Sequence, residues 1–320
     1  MKRVLALAAM LVTACAASAQ QNFPARPMRM VIPWPPGQAT DLVGRVIALR
    51  LSEILGYQVV ADNRAGAGGM IGTDIVAKAV PDGYTLLAAS SGPITVSPLL
   101  QKTPYAPERD LASVAIAGFV PYVLATAPSF PARDIKEFIA LARNNPGKYT
   151  YASSGTGASA HLAVEYFNSV AGIKATHVPY KGSVQALTDV ISGQVTYVTE
   201  TLPATMPLVR AGKLKAFGIS TLKPSSLAPG IPPYAAAADM PGFEFAAWIG
   251  VMVSAGTPKP LVDKITVAVD KALQTADARE KLAGVGLDVN YLRAEEMALY
   301  LKNQTARVSQ IIKEANIRIE

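Results

Sequence analysis

VIPWPPGQATD, residues 31–41, is a short apolar run that ends in a proline-rich loop and then turns into a helical pattern. The run over 28–32 is apolar and partly β-branched, as a buried strand should be. Pro33, Pro35 and Pro36 stop it from continuing as strand or helix. Gly37 permits a backbone conformation closed to other residues, and Thr40 or Asp41 can cap the helix that follows. In that helix Leu42, Val43, Val46, Ile47, Leu49, Leu51, Ile54 and Leu55 recur at helical spacing. The stretch therefore reads strand, tight loop, helix start. Such a loop delivers backbone N–H groups and the positive end of a helix dipole to one point, an anion site that needs no charged side chain. An ordinary βα turn leaves the same local signature.

The same alternation runs outward along the chain. Strands are expected over 29–32, 58–61, 85–89, 114–119, 122–126, 150–153, 175–178, 195–198, 216–220 and 248–253. Helices are expected over 41–55, 69–79, 135–144, 159–171, 182–192, 202–211, 261–274, 277–284 and 294–315. Strands alternating with helices of this length make an α/β protein of βαβ units, with mostly parallel sheets covered on both faces. About 300 residues exceed one ordinary core, so two lobes are expected. Crossings between lobes are placed at 114–125 and at 215–221, the latter before the proline-rich 224–233. Residues 20–121 and 221–320 then form one discontinuous lobe and 122–220 the other, with a cleft between them beside the carboxyl ends of strands.

A second loop in the middle lobe repeats the logic of the first. The strand 149–153 leads into Ser153-Ser154-Gly155-Thr156-Gly157-Ala158-Ser159 and then a helix carrying His161 and Glu165. Small residues let a ligand approach the backbone, and hydroxyls add donors. Residues 155–160 match G-x-G-x-x-A, but the ribose-binding acid expected about 20 residues later is absent, since 176–181 reads THVPYK. That mismatch argues against a nucleotide cofactor, and no other cofactor is indicated. There is no G-x-S-x-G elbow, no H-E-x-x-H, and His161 and His177 are the only histidines. Neither a metal cluster nor a catalytic set is therefore expected. Ser153 or Ser154 with His161 is the one nucleophile–base pairing to consider, but a histidine inside the following helix is better placed to fix its own loop.

The first nineteen residues read as an export signal: Lys2 and Arg3, an apolar 4–12, and a small-x-small site at Ala17-Ser18-Ala19. Val12-Thr13-Ala14-Cys15 is the alternative, a lipoprotein signal with Cys15 as lipid anchor. Cys15 is the only cysteine, so the processed chain has neither disulfide nor cysteine metal site. Losing Lys2 and Arg3 takes the formal charge from +7 to +5, with no basic cluster of the nucleic-acid kind. The longest later apolar run, 246–255, is well short of the about 18 residues needed to span a bilayer.

Six stretches taken together carry a resemblance: VIPWPPGQATD (31–41), ADNRAGAGGMIGTDIVAKAVPDGYTLL (61–87), YASSGTGASAHLAVEYF (151–167), HVPYKGSVQALTDVISGQV (177–195), RAGKLKAFGIST (210–221) and SAGTPKPLVDKI (254–265). In this order they resemble the Bug (TctC) family of periplasmic solute-binding proteins, over nearly the whole processed chain. The resemblance implies a two-lobed, type II Venus-flytrap fold and a monomer that is not an enzyme. It implies closure on a small carboxylate (a di- or tricarboxylate, an amino acid or an aromatic acid) and delivery to the membrane components of a tripartite tricarboxylate transporter. Carried over by position, it makes Pro33, Trp34, Gly37, Gln38, Ala39, Thr40 and Asp41 the first clamp and Ser153, Ser154, Thr156, Gly157 and His161 the second. Tyr180, Glu200 and Thr201 border the cleft. Trp34 and Gln38 depart from the Phe and Gly common in the family, which bears on the ligand's identity rather than on how it is held. A hydrolase built around Ser154, or a binding protein serving a sensor, would use the same cleft.

Overall fold

The computed structural model describes residues 23–317, so the expected export signal, the cleavage after Ala19 and Cys15 lie outside the described residues. The chain opens with β1 (Met28–Ile32), α1 (Ala39–Leu55), β2 (Val59–Asn63), α2 (Met70–Ala77) and β3 (Thr85–Ser90). β1 lies between β2 and β3 and is parallel to both. The apolar stripe read from the sequence packs α1 on this sheet through Val43, Ile47, Ala48 and Leu51, while Leu49 and Ile54 stay exposed. α1 stops at Gly56, whose left-handed backbone (φ 70°) returns its N–H to Ser52 O.

β4 (Leu111–Thr126) is one strand of 16 residues, not two runs flanking Val120-Pro121. Its first part, through Pro121, pairs antiparallel with β9 (Ala246–Ser254). Its last part, from Tyr122, pairs antiparallel with β7 (Tyr197–Thr201) and β8 (Lys215–Ile219). Proline survives inside the strand because it sits where the partner changes, at the final rung opposite Ala246, where a missing N–H costs least. β4 is thus common to both halves of a ten-stranded sheet.

The second half is built from α3 (Ile135–Arg143), β5 (Thr150–Ser153), α4 (Ser159–Ala171), β6 (Thr176–Pro179), α5 (Ser183–Ile191), β7, α6 (Leu202–Arg210) and β8. β5 lies between β6 and β7 and is parallel to both, the same arrangement as β1 in the first half. Each half is therefore parallel at its outer strands, and the sheet is antiparallel where β4 and β9 run between them. After β9, α7 (Lys259–Gln274), α8 (Ala276–Gly284) and α9 (Ala294–Glu314) cover the first half.

The segment between β8 and β9 packs on the second half. Tyr234 meets Phe167 and Phe243 at ring-centroid distances of 5.2 and 5.3 Å, and Phe243 stacks on Tyr166 at 4.6 Å. Along the β4–β9 ladder the register shifts twice, between Ser113 and Ala115 and between Ile116 and Gly118. Two glycines mark these irregularities. A Cβ on Gly250 would lie 2.2 Å from Ala115 O, and one on Gly118 would lie 2.2 Å from Asp288 O.

Candidate functional site

A cavity lies on the seam between the two halves, at the carboxyl ends of the parallel strands, the position open α/β sheets reserve for ligands. The loop after β1 contributes Trp34, Gln38, Ala39 and Thr40, and the loop after β3 contributes Ser90, Ser91 and Gly92. From the other half come Ser154, Ser159 and Ala160 after β5, Ser183 at the start of α5, and Glu200 and Thr201 at the end of β7. Tyr122, Ala247 and Ile249 on the crossing strands form the floor. The space left at the centre is about 40 Å³, room for a few water-sized groups.

Four helices begin at this wall. α1, α4, α5 and α6 have Gln38, Ala158, Gly182 and Thr201 at their N-caps, and none of these side chains caps the helix. Away from the cavity, α3 and α8 are capped by Asp134 and Thr275, whereas α2 and α7 also start without a side-chain cap, at Gly69 and Pro258. The uncapped N–H groups, together with the hydroxyls beside them, supply donors and positive potential in the absence of any lining Lys, Arg or His. The sequence reading put Thr40 or Asp41 at the cap, but the helix starts earlier. Asp41 instead accepts the Gly37 N–H at 2.9 Å and bonds to Arg45 and Asn63, bracing the loop from behind.

Hydroxyl and amide groups join the halves around the cavity. Gln38 Nε2 donates to Ser183 Oγ at 2.7 Å, Ser91 Oγ to Ser159 Oγ at 3.0 Å, and Ser97 Oγ to Gly157 O at 3.0 Å. Tyr122 OH donates to Ser159 Oγ at 2.7 Å, and burial pushes its pKa far up, so it stays a neutral donor. The Trp34 indole is held by its N–H to Ser90 Oγ at 2.9 Å, with one edge against Gly69 and Gly92.

Glu200 is 1% exposed. Its Oε1 accepts the Thr201 N–H at 2.7 Å, whereas Oε2 and the Thr201 hydroxyl have no hydrogen-bond partner. Burial raises its pKa; the Thr201 N–H and the nearby hydroxyls of Ser183, Thr201 and Ser154 oppose that rise without giving Oε2 a properly formed bond.

The structure brings Trp34, Gln38, Ala39, Thr40, Ser154, Glu200 and Thr201 to the cavity wall. It leaves Pro33, Gly37, Asp41, Ser153, Thr156, Gly157, His161 and Tyr180 off it. Pro33 backs onto Gly72 of α2, and Gly37 (φ 86°) shapes the turn. Thr156 and Tyr180 border a separate surface hollow, where Tyr180 donates to Asp189 at 2.5 Å. Ser90, Ser91, Tyr122 and Ser183 were not singled out from sequence, and Ser159 only as the end of its loop.

The pairing of Ser153 or Ser154 with His161 is not what forms. His161 Nδ1 accepts the Gly157 N–H at 3.3 Å and so fixes the loop, while Ser153 Oγ pairs with His177 Nε2 at 2.6 Å. Ser153 is fully buried, and neither histidine shares the cavity wall with Ser154. The two imidazoles stack at 4.1 Å and Tyr151 stacks on His177. Burial lowers the pKa of His161 to about 3 and of His177 to about 4. Both rings should therefore keep the neutral form from pH 7.5 down to pH 5. Proton NMR of the two imidazoles checks this, and a titration midpoint near 6.5 for either ring would put it in water instead of behind the loop.

A family model described as "Tripartite tricarboxylate transporter family receptor" matches residues 43–317. The chain is 37% identical over 315 residues to the "UPF0065 protein in tcbD-tcbE intergenic region" of Pseudomonas sp. (strain P51), covering 98% of this chain and 94% of that one. Among solved structures, an R. palustris protein with adipate superposes with a TM-score of 0.89 at 32% identity, over 92% of this chain and 99% of the other. MatC of Rhodopseudomonas palustris with bound malate superposes with a TM-score of 0.84 at 30% identity, over 91% and 100%.

Proposed function

The chain belongs to the tripartite tricarboxylate transporter receptor family, the TctC or Bug group of periplasmic binding proteins, and from that premise we propose that its cavity captures a small carboxylate for a tripartite transporter. The observation that carries the reading is the set of four uncapped helix starts converging, with their hydroxyls, on one small cavity that has no basic side chain. A carboxylate there exchanges water for charge-assisted bonds from fixed donors, each contributing about 1.5–3 kcal/mol. The adipate and malate held by the two structural relatives are ligands of this chemical kind. Nothing in the cavity is placed for bond breaking, since the one serine–histidine pair is buried behind the loop.

The same reading assigns the lobes. Tyr122 begins the part of β4 that pairs with β7 and β8, and the segment carrying Tyr234 and Phe243 packs on α4, which supports crossings between lobes at 121–122 and 245–246. Closure and opening are bending at these two points, with the ligand held between the lips as a monomer's internal clasp.

A thermal-shift screen of mono-, di- and tricarboxylates, amino acids and aromatic acids tests the reading. A true ligand at 100 times its Kd should stabilise by about 2.7 kcal/mol. The same ligand should shift tryptophan emission through Trp34, which lines the cavity, and not through Trp248, which is fully buried off it. Trp34→Phe should erase most of that signal. The reading fails if no carboxylate stabilises the protein or if product accumulates with time. Full retention of the emission change in Trp34→Phe would remove the indole from the site.

A further inference from the structure

We propose that Glu200 selects, among small carboxylates, those that also carry a cationic nitrogen; this rests on the carboxylate-binding reading and narrows it. Glu200 is the only side chain on the cavity wall that can bear a formal charge at neutral pH, apart from the ligand it would meet. It is 1% exposed, and Oε2 lacks a partner although Oε1 is already satisfied by the Thr201 N–H. A buried carboxylate oxygen without a donor is costly, and no Lys, Arg or His on the wall supplies one. The neighbouring hydroxyls of Ser154, Ser183 and Thr201 are neutral donors, and a cation to pair with this oxygen would have to enter with the ligand.

The rest of the wall says what else the ligand carries. The starts of α1, α4 and α5, with Thr40, Ser159 and Ser183 beside them, offer donors that suit one carboxylate. A second carboxylate directed at Glu200 would set two like charges together with no cation near, unless a proton were shared between them. A nitrogen cation there pairs with Oε2 and keeps the site's charge low. The hydroxyls of Ser154, Ser183 and Thr201 next to Glu200 favour its ionised form, so a cation arriving at Oε2 finds the carboxyl already surrounded by donors. Burial works the other way while the cavity holds no cation, which makes Glu200 a poor anion alone and a good one in a pair.

Matched probes decide the matter by titration calorimetry: L-aspartate against L-malate, and 4-aminobutanoate against 4-hydroxybutanoate and succinate. In at least one set the amino member should bind on the order of 10- to 100-fold tighter, the worth of one charge-assisted bond. Glu200→Gln should abolish that preference, with the amino members losing on the order of 10-fold more affinity than malate or succinate. Malate and succinate binding wild type more tightly than their amino counterparts would overturn the proposal, as would an amino preference that survives in Glu200→Gln. Should the variant not fold, the wild-type comparison alone decides. If no probe and no other carboxylate binds, the carboxylate reading falls together with the proposal. If only the hydroxy acids and dicarboxylates bind, Glu200 alone was misread.

Discussion

Gly250→Val should remove a large share of the protein's stability at 25 °C. Gly250 sits mid-way along β9, facing β4 at the register shift, and its Cβ would lie 2.2 Å from Ala115 O and 3.0 Å from Ile116 Cα. Both neighbours are backbone atoms of the strand that links the two halves, so no side chain can rotate out of the way. Overpacking a core usually costs about 1–3 kcal/mol, and here the strand itself must move, so 3 kcal/mol or more is expected out of a total on the order of 5–15. Gly284→Ala is the control, because a Cβ there meets nothing within 4 Å. Urea unfolding of the two variants checks the contrast. A wild-type midpoint for Gly250→Val would mean that β4 and β9 do not pair in the register seen here.

Gly182→Val should have the largest effect on binding without touching the fold. Gly182 precedes α5 with an extended backbone (φ 169°) that any residue adopts, so valine there strains no backbone and should be accepted once the halves part, as the proposed closure requires. With the two halves in contact as they are in this structure, its Cβ would stand 2.8 Å from Pro35 Cγ and 3.3 Å from Gln38 Nε2, across the seam. The variant should keep its ligand-free thermal midpoint, fail to contract in solution scattering, and lose ligand affinity about 10- to 100-fold, the equivalent of a clash of 1–3 kcal/mol. Undiminished affinity would show that the ligand is held without the lips meeting at Pro35 and Gly182.

Much of this architecture was legible because periodicity and turn chemistry are local. The loop after β1 announced itself through Pro33, Pro35, Pro36 and Gly37, and the loop after β5 through its glycines. The two wall loops share a local signature: Ala89-Ser90-Ser91-Gly92 ends β3 just as Ala152-Ser153-Ser154-Gly155 ends β5. Matching these four residues would have found Ser90 and Ser91. Tyr122 and Ser183 left no such trace, because they reach the cavity only through strand pairing and lobe contact. Pro121 makes β4 read as two strands in the sequence, since proline normally breaks one, and only the change of partner at that rung makes it harmless. Glu200 carries no local signal at all. The resemblance suggested it, and its unpartnered oxygen gives it a chemical role to test.

The lips that meet over the cavity are joined by Gln38 to Ser183, Ser91 to Ser159 and Ser97 to the Gly157 carbonyl, with Gly68 laid close against Thr156 O. Every partner in these contacts is uncharged. Mobile ions weaken attraction between exposed charges over about 10 Å at 0.1 M ionic strength and have far less hold on neutral, buried donors and acceptors. A compartment whose salt content follows the outside water would therefore leave the clasp about as tight in dilute medium as in brine.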